Sequence, residues 1–468
     1  MGNQKLRGKD LSKIAYTSDR ARSLAVDIIS KHFKHHTKKE QLALLTKVQQ
    51  SPEAYMDDER LTTLAQEFMP VTKPSTGREI TLREEPVPVT LFGAKHIDTN
   101  AVKQMETALH LPISCRGALM PDAHQGYGLP VGAVLATKNA VIPYGVGLDI
   151  GCRMSLSIYE APEAYLTRYA YQLKMALKSR TNFGTGGALN ESREHEVLDR
   201  EEFRETDLLR QLHGKAVRQL GTSGSGNHFV EWGIMHLADD NETGLPAGRY
   251  LALLSHSGSR GLGAGIARYY TDVALSQCRL PGHAKPLAWL DLDRDEGQAY
   301  WRAMNLAGDY AKACHDSIHE TLGSYVGLKP LLKVDNHHNF AWKETDPDGE
   351  EYIVHRKGAT PAAEGEWGII PGSMTAPGYL VRGKGHTESL QSASHGAGRR
   401  YSRKRARESY TGSEMRKTLR QANVTLIGGG VDEAPGAYKD IETVMKSQKD
   451  LVSIQGRFEP KIVRMDKN

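Results

Sequence analysis

A chain of 468 residues with 39% hydrophobic and 25% charged side chains lies in the globular range and is long enough for one large domain with an appendage. No stretch approaches the ~20 consecutive apolar residues that cross a bilayer, and residues 1–9 carry neither a secretory signal nor a lipid anchor, so no membrane partner is expected and the cytoplasm is the expected compartment. Net charge is only +5, but residues 1–50 hold eleven Lys/Arg against four Asp/Glu, +7 there and −2 over the rest.

Residues 1–80 are predicted to be a small helical appendage with its linker, ahead of one large domain over 81–468. Thr37-Lys38-Lys39-Glu40 has capping-box spacing and precedes Leu42, Leu44, Leu45 and Val48, while Ser51-Pro52-Glu53 reads as an N-cap followed by proline at the first helical position. Pro70, Pro74, Ser75, Thr76 and Gly77, then Pro86 and Pro88, place the linker at about 70–85. Beyond it, short β-type runs at 131–137, 251–254 and 353–355 alternate with helical stretches at 162–179 and 298–322. The expected fold class is α+β, with mixed β-sheets and flanking helices around a deep cleft.

The four cysteines, Cys115, Cys152, Cys278 and Cys314, lie far apart with no C-x-x-C pair, which argues against a disulfide framework or a zinc ribbon. All except Cys152 read as packed thiols. His315 and His319 share a helical face, but Glu320 lies outside the pair, so this is not H-E-x-x-H and reads as a structural helix. His32, His35 and His36 read as exposed residues near a helix end. From 399 to 420, nine basic residues face two acidic ones, a cationic run suited to phosphates.

Five segments concentrate ligand-type residues at turns: Asp149-Ile-Gly-Cys152, Gly224-Ser-Gly-Asn-His228, Ser255-His-Ser-Gly-Ser-Arg260, Asn336-His-His-Asn339 and Ser394-His-Gly-Ala-Gly-Arg399. One histidine in a turn is usually a hydrogen-bonding residue; five such segments favour a joint site. Asp149, Cys152, His228, His256 and a histidine of the 337–338 pair form a mixed O/N/S set, which suits a divalent transition ion better than Mg²⁺ or Ca²⁺. Affinity order alone would select zinc, and a shared thiolate or carboxylate would allow two ions. The turns at 221–227, 256–263, 371–374 and 395–399 offer backbone N–H groups to anionic oxygen, yet none is a P-loop. His395, flanked by small residues and followed by Arg399, has the setting of a nucleophile toward a nucleotide α-phosphate.

With PDAHQGYGLPVGAVLAT (121–137), VIPYGVGLDIGCRM (141–154) and DEAPGAYKDIETVM (432–445), these segments resemble the RtcB family of RNA-splicing ligases from about residue 82 to the C-terminus. The resemblance implies that 81–468 is a ligase domain joining an RNA end with a 3′-phosphate or 2′,3′-cyclic phosphate to a 5′-hydroxyl, in RNA repair or tRNA splicing, with GTP as co-substrate and Mn²⁺, as two ions, as cofactor. RNA and GTP are then the partners, and an activating protein is admitted as another. Asp149, Cys152, His228, His256 and His338 match the metal ligands, and His395 matches the guanylylated histidine. Around the nucleotide the match gives Asn227, His228, Phe229, Val230, Glu231, His338, Asn339, Pro371, Gly372, Ser373, Met374, Gly378, His395, Gly396, Ala397, Gly398, Arg399, Tyr438 and Lys467, with Glu231 reading the guanine.

Three departures from the family's pattern stand out. Thr375 and Gly378 stand where glycine and serine are common beside the guanine, the chain ends Asp466-Lys467-Asn468 rather than in Lys-Gly, and Arg153 replaces a frequent glycine, adding a cation near the metals or the RNA path. The competing readings are a metal-dependent phosphodiesterase or phosphatase, with no use for His395, and a noncatalytic RNA-binding repair factor, with no use for the metal ligands.

Overall fold

Ten-residue strands buried along most of their length, such as Arg153–Pro162 and Gly248–Ser257, need cover on both faces. In a computed structural model of the chain, which describes residues 10, 11, 14, 16, 19–56, 58–68, 77–189, 192–346 and 349–466, that cover comes from the long helix Asp295–Val326 on one face and further strands on the other. The alternation is strict. Leu251 and Leu253 join Ile318 and Leu322 of the helix, whereas Ala252 and Leu254 pack with Ile369, Leu380 and Phe458.

Two units divide the chain, Met1–Thr76 and Gly77–Asn468. In the first, helices Asp19–His32, Lys38–Gln50 and Thr62–Phe68 close on a core that includes Leu11, Tyr16, Ile29, Phe33, Leu45 and Leu64. Thr37 and Glu40 form the expected capping box, and His32, His35 and His36 are exposed. Pro52–Tyr55 is a short 3₁₀ turn rather than the start of an α-helix. Much of the expected linker, 69–76, lies outside the described residues, and Arg78–Glu79 pairs with Cys278–Arg279 inside the second unit.

The second unit mixes helices with several sheets, as α+β requires. Its eight-stranded sheet runs in the order Pro330–His337, Arg153–Pro162, Gly248–Ser257, Phe229–Leu237, Val452–Met465, Gly378–Gly383, Trp367–Ile370, with Thr425–Ile427 also paired to Val452–Met465. A five-stranded sheet has the order Asn339–Thr345, Glu351–Lys357, Val131–Thr137, Ser114–His124, Val89–Leu91. The chain crosses between the two sheets at His338, which the backbone clamps: His338 N–H donates to Cys152 O at 2.9 Å and Ala359 N–H to His338 O at 3.2 Å. The helical stretch expected at 162–179 breaks at Tyr169 into Glu163–Arg168 and Ala170–Arg180. Among the described residues no helix is long and apolar enough to cross a membrane.

Candidate active site

Metal-ligating candidates arise at strand ends of the larger sheet. Cys152 directly precedes Arg153–Pro162, His228 directly precedes Phe229–Leu237, and His256 is the penultimate residue of Gly248–Ser257. Antiparallel register sets His256 opposite both Met154 and Phe229, so the three side chains meet at one edge. Cys152 Sγ lies 3.2 Å from His256 Nε2 and 3.4 Å from His228 Nε2, His256 Nε2 lies 3.2 Å from His338 Nε2, and His228 Nε2 lies 2.9 Å from Asp149 Oδ2. His338 is the member of its pair that joins the cluster. His337 instead stacks on Trp342 at 4.9 Å.

Two glycines make this approach possible. A Cβ on Gly224 would stand 1.7 Å from His228 Nδ1, and one on Gly258 would stand 2.0 Å from Asp149 Oδ1. Glycine beside these ligand-type residues therefore makes room for the ligands' own side chains.

The donor set fits a divalent transition ion. The ligand atoms of Cys152, His228 and His256, all buried, lie within 4.8 Å of one another. His256 Nδ1 is 3.1 Å from Asn227 O, which only accepts, so Nδ1 carries the proton and Nε2 presents its lone pair to the cluster. Burial, helped by the charge of His228, drives His256 down to about 3 and keeps its imidazole neutral. Burial, helped by Asp149, pushes the Cys152 thiol well above its usual range, so a cation would supply the charge its thiolate needs. Burial raises Asp149, but the charge and hydrogen bond of His228 prevail and hold it at about 2.

His395 stands beside this cluster. It follows Ser392–Ser394, which pairs with Ala359–Pro361, and its ring centroid is 5.1 Å from that of His338. Asp122, on strand Ser114–His124, accepts from His395 Nδ1 at 2.6 Å and from its backbone N–H at 3.2 Å, both on Oδ2. Burial raises the Asp122 carboxyl, yet the charge and hydrogen bond of His395, aided by Lys439, hold it below the usual carboxylate range. Lys439 is fixed beside it by the carbonyls of Pro121 and Ala123 at 3.2 and 2.8 Å.

One cavity is lined by all five candidate ligands and by His395. Asn227, Phe229, Glu231, Asn339, Pro371, Gly372, Ser373, Met374, Gly378, Gly396, Ala397, Gly398, Arg399 and Tyr438 share the lining. The Val230 side chain does not, as strand alternation requires: Phe229 and Glu231 face the cavity, so Val230 turns into the core beside Trp232. Lys467 lies outside the described residues. Burial alone pushes the Glu231 carboxyl well above its ordinary value, and N–H donors on a ligand would favour its ionised, accepting form.

The cationic features are more committed than the sequence suggests. Arg399 pairs with Glu433 at 3.2 Å, Arg403 with Asp432 at 2.8 Å and Arg407 with Asp432 at 3.3 Å, leaving Lys404, Arg405, Arg416, Lys417 and Arg420 exposed on the helices Arg403–Ser409 and Gly412–Gln421. Arg153 is buried and paired with Asp335 at 3.0 Å. His315 Nδ1 and His319 Nε2 meet Ser255 Oγ at 2.7 and 2.8 Å, a buried structural pair beneath the strand that carries His256.

Sequence reasoning missed Asp122, Lys357 and Glu433. Asp122 and Glu433 stood in plain view in the segments 121–137 and 432–445, but only folding pairs them with His395 and Arg399. Lys357 gave no signal. It lines the cavity, donates to the carbonyls of Tyr127 and Tyr144, and is driven down to about 7 by burial.

A family model described as tRNA-splicing ligase RtcB matches residues 104–213 and 190–466. The chain belongs to the RtcB family. RNA-splicing ligase RtcB1 of Escherichia coli strain ATCC 25922 is 31% identical over 408 residues, 80% of this chain and 96% of its own length. RNA-splicing ligase RtcB of Escherichia coli K12 is 30% identical over 406 residues, with the same two shares, 80% and 96%. The RtcB likeness extends to archaea: tRNA-splicing ligase RtcB of Nanoarchaeum equitans is 30% identical over 455 residues, covering 80% of this chain and 94% of its own length.

Proposed function

We propose that the chain is a GTP-dependent RNA ligase that joins an end bearing a 3′-phosphate or 2′,3′-cyclic phosphate to a 5′-hydroxyl end, in RNA repair or tRNA splicing. The observation that carries this reading is the pairing of buried Asp122 with His395, set against a Cys/His/Asp cluster in one cavity. The relatives' names supply RNA and ligation; the pair supplies a nucleophile. Gly77–Asn468 is then the catalytic domain, its cavity the nucleotide cleft, and Met1–Thr76 an appendage.

Asp149, Cys152, His228, His256 and His338 would hold Mn²⁺, as two ions if Cys152 or Asp149 is shared, and bound manganese would place positive charge beside the phosphate oxygens. The protein's own part begins at Asp122. Its ionised carboxylate only accepts, so His395 keeps its proton on Nδ1 and offers the Nε2 lone pair. Nε2 attacks the α-phosphorus of GTP, the N–P bond forms, and pyrophosphate leaves with the electrons of the broken P–O bond. Asp122 stabilises the positive ring that results. An oxygen of the RNA 3′-phosphate then attacks the same phosphorus and releases His395, leaving GMP on the RNA end. The 5′-hydroxyl oxygen attacks the RNA 3′-phosphorus, expels GMP and completes the phosphodiester. A cyclic end must first be opened by water.

Glu231 accepts from the guanine N–H edge, and the turns at 371–374 and 395–398 offer backbone N–H groups to phosphate and ribose. Arg399, held by Glu433, steadies the charge on the transferred phosphate.

With α-labelled GTP and Mn²⁺ the protein should acquire acid-labile, alkali-stable label and should seal RNA bearing the stated ends. Cleavage or dephosphorylation of RNA without protein labelling would instead make it a metal-dependent phosphodiesterase.

A further inference from the structure

Tyr127 is 78% exposed, the most exposed large hydrophobic side chain among the described residues, yet its backbone is tightly fixed. On one side, Gly126 exchanges two hydrogen bonds with the Gln104 amide, at 2.8 and 3.0 Å. The Tyr127 carbonyl itself accepts from Lys357 Nζ. On the other side, Gly128 takes φ +70°, and a Cβ there would stand 3.1 Å from Tyr144 O. A loop hydrogen-bonded at two consecutive residues, with a third in a closely packed left-handed turn, thus holds an aromatic ring in solvent.

The position of this loop is as informative as its rigidity. His124 and Val131, at its two ends, both line the cavity that contains His395, and so does Lys357. The exposed ring is thus carried by a loop whose two ends belong to the cavity wall. Leu148, 41% exposed and adjacent to Asp149, adds a second apolar group next to a candidate ligand.

We propose that Tyr127 is a stacking platform for a nucleobase of the RNA strand entering the cavity, which rests on the ligase reading above. Every base has a π face, so stacking grips an RNA end of any sequence, as an enzyme that joins ends requires. A ring on a fixed backbone loses little freedom on binding, so more of the stacking energy appears as affinity. The guanine of GTP is a different ligand, held deeper, where Glu231 lies.

The test uses the full chain with a 3′-phosphate strand and a 5′-hydroxyl strand. Tyr127→Ala should raise the RNA KM by about 5- to 30-fold, with kcat and the GTP KM within about twofold of the parent. Tyr127→Phe and Tyr127→Trp should restore the parent KM. Tyr171→Ala, which removes an equally exposed ring (75%) on the helix Ala170–Arg180, should not change it. Removing the base from one of the two terminal nucleotides should raise KM in the parent and add nothing in Tyr127→Ala. An unchanged KM in Tyr127→Ala, a loss that Phe and Trp fail to restore, or losses that simply add with the abasic strand each overturn the platform. A parent protein that takes no GMP label and seals no RNA defeats the ligase reading instead.

Discussion

Asp122 Oδ2 holds His395 twice, accepting the ring Nδ1–H at 2.6 Å and the backbone N–H at 3.2 Å. One oxygen thereby sets the tautomer of the ring and the place of the residue in the chain. Because Asp122 is wholly buried, water cannot substitute for it. Asp122→Asn keeps the shape but offers an amide that can orient the imidazole in the wrong tautomer. It should cut GMP labelling by about 10²- to 10⁴-fold, as loss of the orienting carboxylate does in other histidine-dependent sites. His395→Ala should abolish labelling. Elemental analysis should show parent metal content in both variants; a metal loss matching the activity loss would place Asp122 in the metal site instead.

Cys152 is the thiol whose replacement should matter. Its Sγ stands within 3.4 Å of two imidazole nitrogens, whereas Cys278 Sγ contacts Trp289 O at 3.3 Å and Cys115 is only half-buried. A serine hydroxyl can preserve the Cys278 hydrogen bond but is a weak ligand for a borderline-soft cation. Cys152→Ser should therefore weaken metal binding at least tenfold and ligation with it, while Cys115→Ser and Cys278→Ser stay within about threefold. Metal titration followed by ligation assay measures both. Equal, mild effects in all three would make Cys152 an ordinary core thiol.

What could be read from the chain divides along physical lines. Ligand-type residues in glycine-rich turns were legible because close packing of His228 and Asp149 leaves no room for a Cβ at Gly224 and Gly258, a local constraint that marks the sequence. The α+β texture and the capping box at Thr37 were likewise local. Partnerships between distant positions were not. Asp122 and His395 are 273 residues apart, and Arg399 meets Glu433 across 34, so nothing in either segment announces the other. The 227–231 motif, carried over whole, takes in Val230, whose side chain lies in the core because a strand shows only alternate residues to a cavity.

Lys357 should make stability depend on pH with a definite sign. Burial moves its amine from the ordinary 10.5 down to about 7. Between those values the unfolded chain binds a proton that the folded chain has released, so stability rises with pH across that window, and the cost of burying the charge is complete below it. Lys357→Met removes the cost but leaves the carbonyls of Tyr127 and Tyr144 without their donor, a penalty independent of pH. The difference in Tm, variant minus parent, should therefore be more positive at pH 6 than at pH 10 when both are measured in chelator. A pH-independent difference would mean that the amine stays charged throughout.

Gly378 offers the most direct control over nucleotide choice. It lines the cavity, while Thr375, the other departure from the family's pattern, does not. A Cβ on Gly378 would meet Pro371 Cα at 3.4 Å, Ile370 O at 3.7 Å and Leu254 Cδ2 at 3.8 Å, all ordinary contacts, so serine fits without displacing its neighbours. Its hydroxyl would add a hydrogen-bonding group near the base that the parent lacks. One such bond contributes about 0.5–1.5 kcal/mol. The ratio of GTP to ATP in self-labelling should therefore rise by roughly 2- to 10-fold in Gly378→Ser. The parent should still prefer GTP, because the buried Glu231, ionised once N–H donors reach it, accepts from the N–H edge of guanine but meets an acceptor at N1 of adenine. Glu231→Gln supplies the complementary arm and should lower the same ratio. If Gly378→Ser leaves the ratio unchanged while Glu231→Gln lowers it, the hydroxyl does not reach the base and selectivity rests on the carboxyl; if neither variant shifts it, the guanine lies elsewhere in the cavity.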